Sequence, residues 1–154
     1  MKKVNTKNFK KTLSKFSTGI TVVCVKNNNS IYGKTVNSFN SLSLNPPMVL
    51  FSLGNYSSSI KHFTKTKFLS INILSSKQKN LSNNFALTTP KLENIKFVEG
   101  KNKTVIIPNC IANLECELMD KIKKGDHIIF ICKILELKSN DTLKPLIYFN
   151  SKYF

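Results

Sequence analysis

The sequence contains no arginine and no tryptophan, and only 8 acidic residues balance 24 basic ones. Lysine alone therefore carries the formal net charge of +16. Such an excess would ordinarily suggest a nucleic-acid or anionic-membrane partner, because neutralised phosphates release counterions. Arginine, however, is the usual bidentate ligand of phosphate and guanine. Its absence, in a composition also rich in Asn, Ile and Ser, favours solvated surface lysines over a nucleic-acid site.

Long apolar runs are also missing. No stretch approaches the roughly 18 to 20 apolar residues that cross a bilayer. Met1-Lys2-Lys3 is not followed by the apolar segment of a secretion signal. We therefore expect a cytoplasmic protein without a membrane segment.

The four cysteines form no CxxC pair and show no metal-ligand spacing with His62 or His127. Cys116 alternates with apolar neighbours, which is typical of an inward-facing strand residue. All four are predicted to be buried free thiols, as suits a reducing compartment. They are Cys24, Cys110, Cys116 and Cys132.

What the chain does have is enough apolar material for a core. It is 154 residues long, 41% hydrophobic, and contains 11 Phe. A chain of this size buries most of its apolar surface without disulfides, so residues 1–154 are predicted to form a single domain.

Apolar periodicity predicts many short strands and few helices. Three helices are expected, from about Thr6 to Phe16, after a Ser57 cap with Ile60 and Phe63 inward, and from Lys77 to Phe85. Strands are expected at Ile20 to Val25, Ile31 to Val36, Met48 to Leu53, Phe68 to Leu74, Val105 to Ile107, Ile111 to Leu118, Ile128 to Leu137 and Leu146 to Phe149. Residues 93–103 are predicted to be loop. This order implies a closed or partly closed antiparallel barrel.

The most distinctive segment runs from Gly33 to Met48. It places many hydroxyl and amide side chains between two apolar strands and ends at Pro46-Pro47. Such groups can approach a planar, polar ligand closely. Polar connections between strands are also common, so composition alone leaves both interpretations open.

Together with Phe16 to Val23 upstream and Gly125-Asp126-His127 downstream, this segment resembles the flavin reductase family. The similarity runs from about Phe9 to Tyr153, and its specificity lies in the order and spacing of its pieces. It implies a mainly β, antiparallel, Greek-key-like FMN-binding split barrel with a few short peripheral helices.

The resemblance also implies a flavin site. The residues it places at the flavin ring and its surroundings are Thr35, Val36, Asn37, Ser38, Ser41 and Ser43. Those it places at the phosphate are Ser57, Ser58, Ser59 and Lys61, although the serines could equally form a plain helix cap. Asn72 and Phe85 correspond to family positions near the flavin, and either could instead be structural.

His127 would help to place the nicotinamide, with Asp126 shaping the turn or orienting the imidazole. The alternative is a β-turn whose histidine merely ends a strand. No metal ligand is implied.

The implied activity is NAD(P)H-dependent reduction of FMN or FAD by hydride transfer to the flavin. Implied partners are a second copy of the chain in a homodimer and an oxygenase that receives reduced flavin. One alternative is an electron carrier or oxidase of the same fold. A weaker one is a basic nucleic-acid-binding barrel, which would expose aromatic residues on a sheet face.

The sequence departs from the family pattern at three places. Residues 93–104 are short and lysine-rich, Cys132 stands where relatives often carry glycine, and no arginine is present to bind phosphate. These departures leave the nicotinamide preference and the choice between FMN and FAD open.

Overall fold

The computed structural model describes Met1 and residues 3–154. Its helices are α1 (Thr6–Leu13), α2 (Ile60–Lys65) and α3 (Lys79–Ala86), with a 3-10 turn at Ser76–Gln78 before α3. Its strands are β1 (Thr18–Gly19), β2 (Thr21–Asn27), β3 (Ser30–Val36), β4 (Asn40–Leu44), β5 (Pro47–Gly54), β6 (Phe68–Ile73), β7 (Val98–Glu99), β8 (Val105–Ile106), β9 (Ala112–Lys124), β10 (His127–Ser139), β11 (Ile147–Phe149) and β12 (Lys152–Tyr153).

Seven strands form one antiparallel sheet in the order β3-β2-β6-β9-β10-β5-β4. The strands β1, β11 and β12 form a small second sheet, and β7 pairs with β8. Neighbours in the main sheet come from distant parts of the chain, as when β6 pairs with β9. The order places β3 at one end of the sheet and β5 next to the other end, where β4 is the last strand.

Strand β2 is buried on both faces and joins two apolar clusters. Val23 and Val25 belong to a cluster with Phe51 and Phe130. Val22 belongs to a second cluster, which includes Leu74, Phe85 and Leu146. This burial on both faces explains why the sequence of β2 is a continuous apolar run and does not alternate between apolar and polar residues.

The β2–β3 hairpin is confirmed, with Thr21 paired to Val36 and Asn27 to Ser30. Asn28 and Asn29 adopt positive φ angles of 47° and 60°, a conformation that asparagine tolerates better than most residues. Strands β9 and β10 extend further than predicted, to 13 residues each. Gly125, with φ +57°, lies in the turn between them.

Several predicted elements are corrected. Helix α1 ends at Leu13, and Phe9, Leu13 and Phe16 are all exposed, so its apolar face does not contact the core. The N-cap of α2 is Ser59 and not Ser57, because the residues from Ser57 form a turn before the helix begins.

Four strands were not predicted, because their side chains carry little apolar signal or their length is only two residues. Thr18–Gly19 is one of them and pairs with β11. Asn40–Leu44 is a strand within the polar segment. Val98–Glu99 pairs with β8 inside the predicted loop, and Lys152–Tyr153 pairs with β11.

All four cysteines are buried and free, as predicted. Burial raises the pKa of Cys110 to about 11 and that of Cys132 to about 12, so these thiols stay protonated. Among the described residues, no helix has the length and apolar character needed to cross a bilayer.

Candidate functional site

A groove of about 370 Å³ lies where the end of β3 faces the end of β5. We call it the polar groove. Seven of the predicted site residues line it, namely Thr35, Val36, Asn37, Ser38, Ser57, Ser58 and His127. The other lining residues include Lys34, Ser52, Gly54, Tyr56, Ala86 and Thr88.

The two strands present backbone polar groups to this groove. Strand β3 is at the edge of the main sheet, so within the described chain one side of it has no partner strand. Strand β4 pairs with β5 only from Pro47 to Leu50. Beyond it, the Ser52 backbone groups bond the Ser38 hydroxyl and the Gly54 carbonyl accepts from the Ser57 N–H. The free edge of β3 is therefore the one suited to the hydrogen-bonding edge of a flat ligand.

Ser38 closes part of the gap between these strands. Its hydroxyl accepts a hydrogen bond from the Ser52 backbone N–H at 2.9 Å and donates to the Ser52 carbonyl at 3.1 Å. Thr35 donates in turn from Oγ1 to the Ser82 carbonyl of α3 at 2.7 Å. These two hydroxyls therefore fix the walls of the groove.

Asn37 differs from its neighbours because its side chain is exposed and makes no hydrogen bond to any described residue. It lies between the fixed Thr35 and Ser38 positions. Both its amide donors and its carbonyl acceptor are available to a ligand.

The far end of the groove carries hydroxyls. Ser58 donates from its hydroxyl to the Thr88 carbonyl at 2.9 Å, and the Ser57 and Ser59 hydroxyls lie 3.2 Å apart. Lys34 donates from Nζ to the Leu87 carbonyl at 2.6 Å. The Ser58 and Lys34 contacts join the loop after α3 to the loop before α2 and to β3.

His127 is the first residue of β10 and lies at the rim of the groove. Its Nδ1 is 2.7 Å from an Asp126 carboxylate oxygen, and the neighbouring Asn55 backbone N–H donates to the Asp126 carbonyl at 2.9 Å. The hydrogen bond from His127 and its charge lower the pKa of Asp126, which keeps that carboxylate ionised. Tyr56 meets the imidazole edge to face, with ring centroids 6.5 Å apart.

The groove thus combines polar strand ends, a hydroxyl-rich end and an aromatic pair at an open rim. A family model described as "Flavin reductase like domain" matches residues 13–154. The chain belongs to the flavin reductase family.

Known members of the flavin reductase family agree in sequence and in fold. The FMN reductase (NADH) SmoA of Agrobacterium fabrum is 32% identical over 137 residues, covering 89% of this chain and 79% of that protein. A probable flavin reductase of Rhizobium meliloti is 34% identical over 90% of this chain, which spans only 45% of that protein.

Solved flavin reductase structures superimpose over almost the whole chain. The flavin reductase PheA2 in its native state has a TM-score of 0.91 and 33% identity, covering 98% of this chain and 97% of that one. The styrene monooxygenase flavin reductase from Pseudomonas putida has a TM-score of 0.87 and 28% identity, with 96% and 95% covered. The mainly β split-barrel prediction is confirmed.

Six predicted site residues lie outside the polar groove of this flavin reductase. Ser59 and Lys61 line an adjoining cavity. Ser41 and Ser43 lie on β4. Asn72 is fully buried, where its amide donates to the Val22 carbonyl and its oxygen accepts from the Ile107 N–H. Phe85 is also fully buried and packs in the second apolar cluster.

Sequence reasoning missed the contributions of Lys34, Tyr56 and Thr88. Of these three residues, only Tyr56 could have been found from the sequence. It follows a predicted buried strand and directly precedes the three serines, a position that indicates a place in the site. Tyr56 is 79% exposed, as a ligand-facing aromatic residue in a free protein can be. Thr88 lies in the loop after α3, whose position depends on tertiary packing, and Lys34 reaches that loop from β3.

Proposed function

We propose that this protein binds FMN or FAD in the polar groove and reduces it with NADH or NADPH. The observation that carries the proposal is the groove itself, with the free edge of β3 on one wall and hydroxyls at one end. SmoA, a relative by sequence, is named for NADH-dependent FMN reduction. A flavin held there would supply the hydride acceptor, and the chain would supply binding and position.

The polar ring edge of a flavin would meet the backbone at Thr35 and Val36 and the amide of Asn37. Donors at this edge stabilise negative charge that develops when the ring is reduced. Ser38 would act on the flavin indirectly, because its hydroxyl is already bonded to Ser52. No protein nucleophile is needed for hydride transfer, since positioning of the two rings dominates.

The flavin phosphate would lie at the hydroxyls of Ser57 and Ser58. Helix α2 has only six residues, so we assign this role to the hydroxyls and to Lys61 nearby and not to a helix dipole. A lysine serves here as a point charge in place of an arginine fork.

His127 would hold the nicotinamide against the open face of the flavin ring. Asp126 fixes one nitrogen of the imidazole, which limits the ring's rotation at the rim. The T-shaped Tyr56 would close the same side.

We also propose that two copies of the chain form a dimer that delivers reduced flavin to an oxygenase. Large apolar side chains are exposed on three strands of the main sheet, at Leu42, Leu44, Met119 and Leu137. A second copy is the occupant that the family resemblance favours. The oxygenase follows from relatives named as reductase components of flavin-dependent monooxygenases.

One anaerobic titration tests the activity. Purified protein should quench FMN fluorescence on binding and, when NADH is added, bleach the visible absorbance of oxidised flavin. Absence of both signals would contradict the proposal. Binding of FMN without bleaching by NADH or NADPH would favour the electron-carrier alternative. Sedimentation velocity on the same sample tests the dimer.

A further inference from the structure

A second cavity of about 430 Å³ adjoins the polar groove. The two cavities share Ser58 and Thr88, whose hydrogen bond forms the ridge between them. We call this second cavity the aromatic groove. It lies beyond the hydroxyl end of the polar groove, on the side away from His127.

The floor of the aromatic groove is a fixed pair of rings. Tyr32 and His62 stack with centroids 3.5 Å apart and an interplanar angle of 9°. Asn27 Nδ2 lies 3.3 Å from His62 Nδ1, which restrains the imidazole further. Ile31, Pro90 and Leu92 add apolar surface around the pair.

The His62 ring is suited to stacking because it stays neutral. Partial burial, with Lys61 and Lys65 beside it, lowers the pKa of His62. A neutral imidazole stacked on a phenol presents a flat apolar face. Any nucleobase can stack on such a face, because every base has a π-face.

Polar groups suited to a phosphate line the same cavity as the aromatic pair. Ser59 and Thr89 line the aromatic groove, and the exposed Lys61 supplies a cation. A ligand whose first phosphate sits at Ser57 and Ser58 could cross the ridge and place a second phosphate near Lys61. The aromatic pair lies on that same side of the ridge.

We propose that the aromatic groove binds the adenosine diphosphate end of a dinucleotide. This inference rests on the proposed function, because it takes the phosphate end of the flavin site as its starting point. The same chemical group occurs in FAD and in NADH. An FAD molecule would span both grooves, and an NADH molecule would place only its adenylate half there.

Two matched ligand pairs test the proposal and separate its two sources. FMN and FAD differ by the adenylate group, as do reduced nicotinamide mononucleotide and NADH. In one of these two pairs, we expect the ligand with the adenylate group to have about tenfold higher affinity or kcat/KM than the ligand without it. Stacking worth about 1.4 kcal/mol produces this factor. Preference for FAD assigns the groove to the flavin, and preference for NADH assigns it to the nicotinamide donor.

Competition by ADP provides a readout independent of turnover. If the groove takes the flavin, ADP should displace bound FAD and leave FMN bound, as followed by flavin fluorescence. If it takes the nicotinamide donor, ADP should inhibit competitively against NADH and not against the mononucleotide.

Substitution then locates the effect. His62→Ala should reduce the ratio within the preferred pair toward one, and Tyr32→Leu should do the same if His62→Ala alters the melting temperature. Lys67→Gln is the control, because Lys67 is an exposed cation just beyond the same helix that neither lines the groove nor acts on the pKa of His62. It should leave the ratio unchanged.

Equal behaviour within both ligand pairs, or a preference that His62→Ala and Tyr32→Leu both leave intact, would overturn the inference. Failure of the proposed function looks different. It would appear as no binding of FMN and no oxidation of the mononucleotide, two ligands that lack the adenylate group.

Discussion

His127 is held at the rim of the polar groove by a 2.7 Å contact between its Nδ1 and the Asp126 carboxylate. If the ring positions the nicotinamide, His127→Ala should lower kcat/KM for NADH by about tenfold, because loss of alignment slows hydride transfer. FMN affinity should change much less. Stopped-flow reduction and fluorescence titration measure the two quantities separately.

Asp126→Asn is the matched variant for this prediction. It keeps a hydrogen-bond acceptor beside Nδ1 and removes the charge, so its loss of kcat/KM should be smaller than that of His127→Ala. A fall in FMN affinity as large as the fall in kcat/KM would instead mean that His127 binds the flavin.

Gly33 shows how a single position on β3 depends on the fully buried Phe85. A Cβ at Gly33 would lie 2.5 Å from Phe85 Cε1 and 3.3 Å from Cys24 Sγ. We expect Gly33→Ala to destabilise the protein by about 1–3 kcal/mol, since a packed core yields little to added volume. Urea unfolding measures this change.

Gly19 is the matched control for Gly33. A Cβ there would meet nothing within 4 Å, and the residue is also in a strand. Gly19→Ala should therefore change the free energy of unfolding by less than about 0.5 kcal/mol. Equal effects of the two substitutions would contradict the close approach of Phe85.

At the scale of elements, burial decided which parts of the fold the sequence could predict. Strands β2, β5 and β10 carry apolar residues over most of their length and were located to within one or two residues at most ends. Strand β4 was missed, because Asn40–Leu44 is an edge strand with hydroxyl and amide side chains.

The candidate site was predictable where side chains follow one another along the chain. Thr35 to Ser38 line the groove because β3 ends there. Asn72 and Phe85 could not be placed from sequence, since an amide or a phenyl ring suits a ligand site and an interior equally. Only the tertiary packing of β6 and α3 shows that both are fully buried.

The loop before β8 is anchored by one buried carboxylate on β9. Glu115 accepts hydrogen bonds from the backbone N–H groups of Lys101 and Asn102 and from Thr104 Oγ1, at 3.0, 2.8 and 2.7 Å. Burial raises the pKa of Glu115, but these hydrogen bonds outweigh it and the net pKa is lowered. The ionised form therefore stabilises the fold.

Glu115→Gln should cost about 1–3 kcal/mol of unfolding free energy near neutral pH. Because the folded pKa lies below the ordinary value of 4.5, this stabilisation is present above pH 4.5 and is lost as pH falls through the folded pKa. The difference between wild type and variant should accordingly shrink below pH 4.5. Thermal melts across pH measure it.

Glu117→Gln, two residues along the same strand, is the control. Its carboxylate lies 3.7 Å from the exposed Lys67 Nζ, a contact worth little in water. A pH dependence of the same size in both variants would contradict the role of Glu115 as the anchor of the loop.

At the scale of the whole molecule, the two apolar clusters meet across β2, which contributes alternate residues to each. We propose on this basis that residues 1–154 form a single domain. Each cluster depends on side chains of β2, so neither can stay folded when β2 unfolds. Calorimetry should show one cooperative unfolding transition. Two resolved transitions would contradict the proposal.

The net charge of +16 acts at long range on anionic substrates. NADH and FMN are both anions, so the lysine-rich surface should raise their encounter rate at low salt. We expect kcat/KM for FMN to fall by about tenfold between roughly 20 mM and 500 mM NaCl, as the Debye length shortens. Riboflavin, which lacks the phosphate, is the matched ligand and should show little change under the same conditions. An equal salt dependence for the two flavins would mean that salt acts on the protein and not on the capture of charged substrates.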